Sequence, residues 1–168
     1  MPFVVACTHA AAGLLVLSGG SKLWSPTATA TALAALKVPG VGGTARLLGA
    51  GEIGVGGLAL LVGGWIAGLA VATAYVGFAV VALVLRASAD PVGCGCFGRA
   101  STPPTLLHAA VDLALAAAAA ATLINPMQGV VRILGDQPLA GVPYVMLVVT
   151  AVALLHAVLT VLPETVAA

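Results

Sequence analysis

From Trp65 to Leu85 the chain carries no charged side chain at all, and four further stretches are nearly as apolar. Such runs leave few folds open. A helix that is apolar on all sides needs burial in a large core or a lipid environment. Crossing the ~30 Å hydrocarbon layer takes roughly 20 apolar residues in a helix, because every backbone amide must find its partner within its own segment. Only 7% of the 168 residues are charged and 61% are hydrophobic, whereas a soluble domain carries roughly 25% charged residues. The pattern predicts an all-α, multi-pass membrane protein, a single domain whose first partner is the lipid bilayer.

Five spans are expected, at about 3–24, 45–63, 65–85, 105–124 and 142–162, arranged as a four-helix core plus a C-terminal span. Pro103, Pro104, Pro126, Pro143 and Pro163 mark their ends, as proline does where helices stop. Met1 to Val5 contain no Lys or Arg, so the first apolar stretch is read as an uncleaved span, not a secretion signal. Lys22 and Trp24 close it as a snorkelling cation and an interfacial aromatic. Residues 26–40 are apolar but short, which suits a surface-lying helix. Six Lys or Arg against five Asp or Glu give no basic field for a nucleic acid. No pattern in the chain fixes an oligomeric state.

Odd-numbered connections share one membrane face. The connection after the first span and the loop at 87–104, which holds GCGCFG at 93–98, therefore lie on the same side. Ionisable groups within spans cost on the order of 3 kcal/mol each and tend to face a cavity or a partner. Glu52, His108 and Asp112 all fall within about two helical turns of this face, roughly 5 to 10 Å deep at the helical rise. Gly49, Gly56 and Gly63 share the face of Glu52 and form a seam for close helix approach. His108 and Asp112 stack as i and i+4. A buried carboxyl without a fixed cation holds its proton, and His108 is the natural proton partner for Asp112. Packing of a neutral Glu52 and snorkelling of His108 and Asp112 are the plainer readings. Cys7, His9 and His156 are read as structural.

Glycines at 93, 95 and 98 permit backbone angles that let Cys94 and Cys96 close a small ring. A disulfide across one residue is strained and labile, and stabilises little because the closed loop is short. It suits electron exchange better than stapling. Arg86 and Arg99 flank the pair and favour a thiolate, with Asp90 opposing them. Cu(I) binding by Cys94 and Cys96, with His108 as a third ligand, is a rival reading. Zinc would need four ligands at wider spacing, so no metal site is assigned. Thiols that simply stay reduced are the inert case. A quinone is a candidate electron store, although no quinone motif is present.

The chain resembles the MauE/DoxX-type redox-associated membrane proteins, and within them the MauE branch. The likeness rests on SGGSKLWSP at 18–26, LLGAGEIGVGGLALLVGG at 47–64 and GCGCFG at 93–98. It implies a small helical bundle that helps form or transfer disulfides in an exported partner, as MauE is associated with maturing the disulfide-rich small subunit of methylamine dehydrogenase. The same likeness makes Cys94 and Cys96 the redox pair, Glu52 the membrane carboxyl and Lys22 the basic residue ending the first span. Family members commonly carry Arg-Asn or Arg-Asp in the helix after the cysteines; here Asp112 matches and Val111 replaces the arginine, with His108 as a substitute. The expected function is a membrane thiol-disulfide oxidoreductase or electron relay acting on a thioredoxin-like or disulfide-containing partner. A non-catalytic subunit, a scaffold or a small-solute carrier is the alternative.

Two criteria for sidedness oppose each other. Lys22, Lys37, Arg46, Arg86 and Arg99 lie on the cysteine side and Arg132 on the other, which by the positive-inside rule puts the cysteines toward the cytoplasm. Work on exported disulfides would put them outside, where disulfides persist.

Overall fold

The computed structural model describes residues 2–88, 92–93 and 104–161. These fold into helices α1 (Pro2–Trp24), α2 (Thr27–Ala35), α3 (Val41–Leu61), α4 (Trp65–Arg86), α5 (Leu106–Ala121), α6 (Val130–Asp136) and α7 (Pro138–Thr160), with no strand among the described residues. Four of them, α1, α3, α4 and α7, are long and apolar enough to cross a membrane, and α5 is a shorter apolar helix. The protein is an all-helical, multi-pass membrane protein. Its outward faces agree with that, since Leu47, Ile66 and Met146 all point away from the core. Lipid makes such exposure inexpensive.

Three boundaries differ from expectation. Helix α3 begins at Val41 rather than near 45, because Gly40 adopts a left-handed φ of 64° and turns the chain into the helix early. Helix α5 ends at Ala121, where Thr122 turns its hydroxyl onto the carbonyl of Ala119 at 2.6 Å and closes the last turn. Pro143 sits inside α7 instead of at its start, and the helix opens at Pro138. Proline in the first turns forfeits amide bonds that a helix start lacks in any case, so Pro138 is the true boundary. The short helix α6 had no counterpart in the sequence reading.

Helix α1 packs most closely on α3, and α4 on α5. The first contact is a glycine seam. A Cβ at Gly49 would stand 2.8 Å from the carbonyl oxygen of Gly19, and one at Gly56 would stand 2.5 Å from that of Ala12. Backbone meets backbone here because nothing larger fits. Gly63 leaves the seam. It lies in the α3–α4 turn with φ 74°, followed by Gly64 at φ 92°, angles that side chains resist. That turn is tied to the α5–α6 connection by a bridge between Gly63 and Gln128 and by the amide of Gly64 donating to the Met127 carbonyl at 2.8 Å. Across the centre, the Tyr75 hydroxyl donates to the carbonyl of Ala11 at 2.8 Å, joining α4 to α1 within a core that includes Leu15, Val71 and Leu115.

Candidate functional site

Lys22 is not a snorkelling cation. It stands in the last turn of α1 and is only 3% exposed, while Trp24 two residues later is 94% exposed. Its Nζ donates to Glu52 Oε2 at 2.8 Å and to Ser18 Oγ at 2.6 Å. Ser18 and Lys22 are i and i+4, so they share the α1 face that Gly19 presses onto α3. The glycine contact brings the two helices close enough for an ammonium to reach a carboxylate. Removing two charges from water is costly unless they pair well, and Lys22 supplies Glu52 with a fixed cation. Lys22 Nζ also lies 5.6 Å from the centroid of the Phe78 ring on α4, within range of a cation–π attraction. Phe78 is held in turn by an edge-to-face contact with Tyr75 at 5.7 Å.

Glu52 is 6% exposed, and its second oxygen, Oε1, is buried without a hydrogen-bond partner. Buried acceptors are usually satisfied. The pair borders a groove of about 550 Å³ between α2, α3 and α4, walled by residues such as Leu33, Leu48, Val55 and Phe78. Helices α3 and α4 touch each other far less than α1 touches α3 or α4 touches α5, which leaves room for the groove.

His108 has a different neighbourhood from the one expected. It occupies the third position of α5 in a capping box, its Nδ1 accepting from the Thr105 amide at 3.2 Å and lying 3.0 Å from the Thr105 hydroxyl. Since an amide must donate, Nδ1 is the acceptor and Nε2 carries the proton. Nε2 then donates to the carbonyl of Leu159 on α7 at 3.1 Å. Both ring nitrogens of His108 are thus engaged by Thr105 and Leu159. Asp112 lies half-buried one turn further along α5. Glu52 is bonded to Lys22 and to neither of these residues. Cys94 and Cys96 lie outside the described residues, whose nearest members, Gly93 and Pro104, are both buried.

At the opposite end, His9 is fully buried, and its Nδ1 lies 2.6 Å from the Tyr144 hydroxyl of α7. The two rings meet edge to face, 5.7 Å between centroids. This contact joins α1 to α7. Among the described residues no group of three or more His, Cys, Asp and Glu is gathered around one point.

The sequence model of one family, described as methylamine utilisation protein MauE, matches residues 1–125. The chain belongs to the MauE family. The match spans α1 to α5 with the loop bearing Cys94 and Cys96, and it takes in both Lys22 and Glu52. Helices α6 and α7 lie beyond the matched residues. No curated protein and no solved structure matches the chain.

Proposed function

We propose that this MauE-family protein is a membrane thiol-disulfide oxidoreductase that helps form disulfides in a partner protein of methylamine utilisation. The observation that carries the reading is the buried Lys22–Glu52 pair in the last turn of α1. A bundle with so few charges gains nothing in stability from such a pair that well-packed apolar residues could not supply. A role in handling charge or protons accounts for it better.

In this reading a thiolate of the partner attacks the Cys94–Cys96 disulfide and forms a mixed disulfide, releasing one of the two cysteines as a thiolate. The second partner thiol then attacks the mixed bond. The partner leaves oxidised, Cys94 and Cys96 are left reduced, and the two protons of the partner thiols end on the two cysteines. Asp112, half-buried near the start of α5, and Glu52 are carboxyls within the bundle that can pass protons, while His108 fixes α5 and α7 around them.

Alkylation of membranes before and after reductant tests whether Cys94 and Cys96 cycle. A Cys96→Ser variant should trap a partner through a reductant-sensitive bond. If replacing both cysteines by serine leaves maturation of the partner whole, the protein is instead a non-catalytic scaffold or carrier. If Cu(I) copurifies with the protein and is lost with the cysteines, metal handling takes its place.

A further inference from the structure

The groove between α2, α3 and α4 has the attributes of a ligand site. Its volume of about 550 Å³ falls within the roughly 300–1,000 Å³ usual for small-molecule pockets. Its walls are apolar, and the hydroxyls on them are engaged: Thr44 donates to the carbonyls of Pro39 and Gly40, and Thr73 to that of Leu69. At its edge stands Glu52, 94% buried by its 6% exposure, with Oε1 lacking a donor. Two of the wall residues are glycines, Gly51 on α3 and Gly77 on α4, and a Cβ at either would meet nothing within 4 Å. Unlike Gly49 and Gly56, they are not needed for helix contact. What their lack of a side chain does is keep the groove open.

The occupant follows from the chemistry of that edge. Oε1 is an acceptor, so the ligand must donate. An anionic head would bring a second negative charge against Glu52, and a cationic one would stand against Lys22 in a medium that screens little. A neutral hydroxyl on an apolar body remains, and since both main walls are spans, the body enters from the lipid.

We propose that the groove binds the head of a lipid-soluble quinol, its ring hydroxyl donating to Glu52 Oε1 and its ring lying near Phe78. The preference for a hydroxyl-headed lipid stands on the groove alone. The choice of a quinol among such lipids rests on the proposed thiol chemistry: a quinone is the two-electron oxidant that would re-form the Cys94–Cys96 disulfide, taking the two electrons and two protons of the thiols and becoming the quinol that the groove holds.

The test uses the full chain in nanodiscs and a photoreactive azidoquinone, reduced in place to the quinol, as the probe. Saturable labelling should map to α3 and α4 and be displaced by a short-chain quinol. Gly77→Leu, which fills the groove, should lower the labelling by about tenfold or more. Gly57→Leu adds the same side chain on α3 where a Cβ also meets nothing within 4 Å but outside the groove, and it should label as the parent does. Unsaturable labelling, or equal labelling of the Gly77→Leu and parent proteins, overturns the site. Displacement by diacylglycerol or a long-chain alcohol as effective as by the quinol overturns the quinol assignment. Repeating the measurement with Cys94 and Cys96 both replaced by serine separates the two proposals, since labelling should survive there whether or not the thiols cycle.

Discussion

Glu52 accepts from Lys22 at 2.8 Å through one carboxylate oxygen and keeps the other, buried, without a donor. The asymmetry places a charged pair and an unsatisfied acceptor at one point of an otherwise apolar bundle. Stability and activity should therefore respond differently to the same substitutions.

Breaking the pair from either side should be severe. Lys22→Met or Glu52→Leu alone leaves a buried charge uncompensated and should cost about 3–5 kcal/mol. The double variant restores an apolar contact and should recover most of that loss. Thermal unfolding in detergent of the two single variants and the double variant measures this. Recovery of Tm in the double variant without recovery of partner maturation is the expected signature of a functional pair.

The α1–α3 seam should admit no side chain. Gly49→Leu and Gly56→Leu push a side chain into the backbone of α1 and should destabilise by about 1–3 kcal/mol or more, as overpacking does. Gly54→Leu, on the same helix with nothing within 4 Å of its Cβ, should be close to neutral. Comparing detergent stability of the three separates a tight seam from a general dislike of leucine on α3.

His108 should act through structure. Replacing it by alanine removes the bond to Leu159 and half of the capping box, a loss of about 1–2 kcal/mol. The loosened element should be the C-terminal end of α7, seen as faster amide hydrogen exchange around Leu159. The rate at which Cys94 and Cys96 are re-oxidised should fall far less than in an Asp112→Asn variant.

The proposed work on an exported partner requires the cysteine loop on the exterior. Five-span parity puts the C-terminal end of α7 on that side, in keeping with the bond between His108 at the start of α5 and Leu159 near the end of α7. A periplasmic-type alkaline phosphatase fused there should be active. An active cytoplasmic reporter at the same position would instead match the lysine and arginine count, and would remove the case for an exported partner.

Much of this architecture can be read from the residues alone. Five apolar stretches gave five helices, the short 26–40 segment gave α2, and the glycines around Glu52 gave a close seam at Gly49 and Gly56. These are local properties of length, hydropathy and side-chain size. Lys22 was misread because distance from a helix end says nothing about what faces it; only the approach of Glu52 on another helix makes burial of an ammonium tolerable. The i and i+4 spacing of Ser18 and Lys22 beside Gly19 was the signal for it. The partners of His108 are hidden in the sequence for a related reason. Its spacing to Asp112 was correct, but Thr105 and Leu159 compete for the same ring atoms, and Leu159 is distant in sequence. Pro143 shows the limit of proline as punctuation when a second proline at 138 already starts the helix.

The knot of Gly63, Gly64 and Gln128 has a bearing on how such a chain can drift over generations. A Cβ at Gly63 would stand 2.5 Å from the Met127 carbonyl oxygen, and one at Gly129 would meet the carbonyl group of Leu61. Mutation at the sewn end has almost nowhere to go, whereas around Gly51 and Gly77 new side chains find empty space. Relatives should thus keep one end of the molecule nearly unchanged and reshape the cleft at the other, so that appetite for different small molecules can evolve without disturbing the fold.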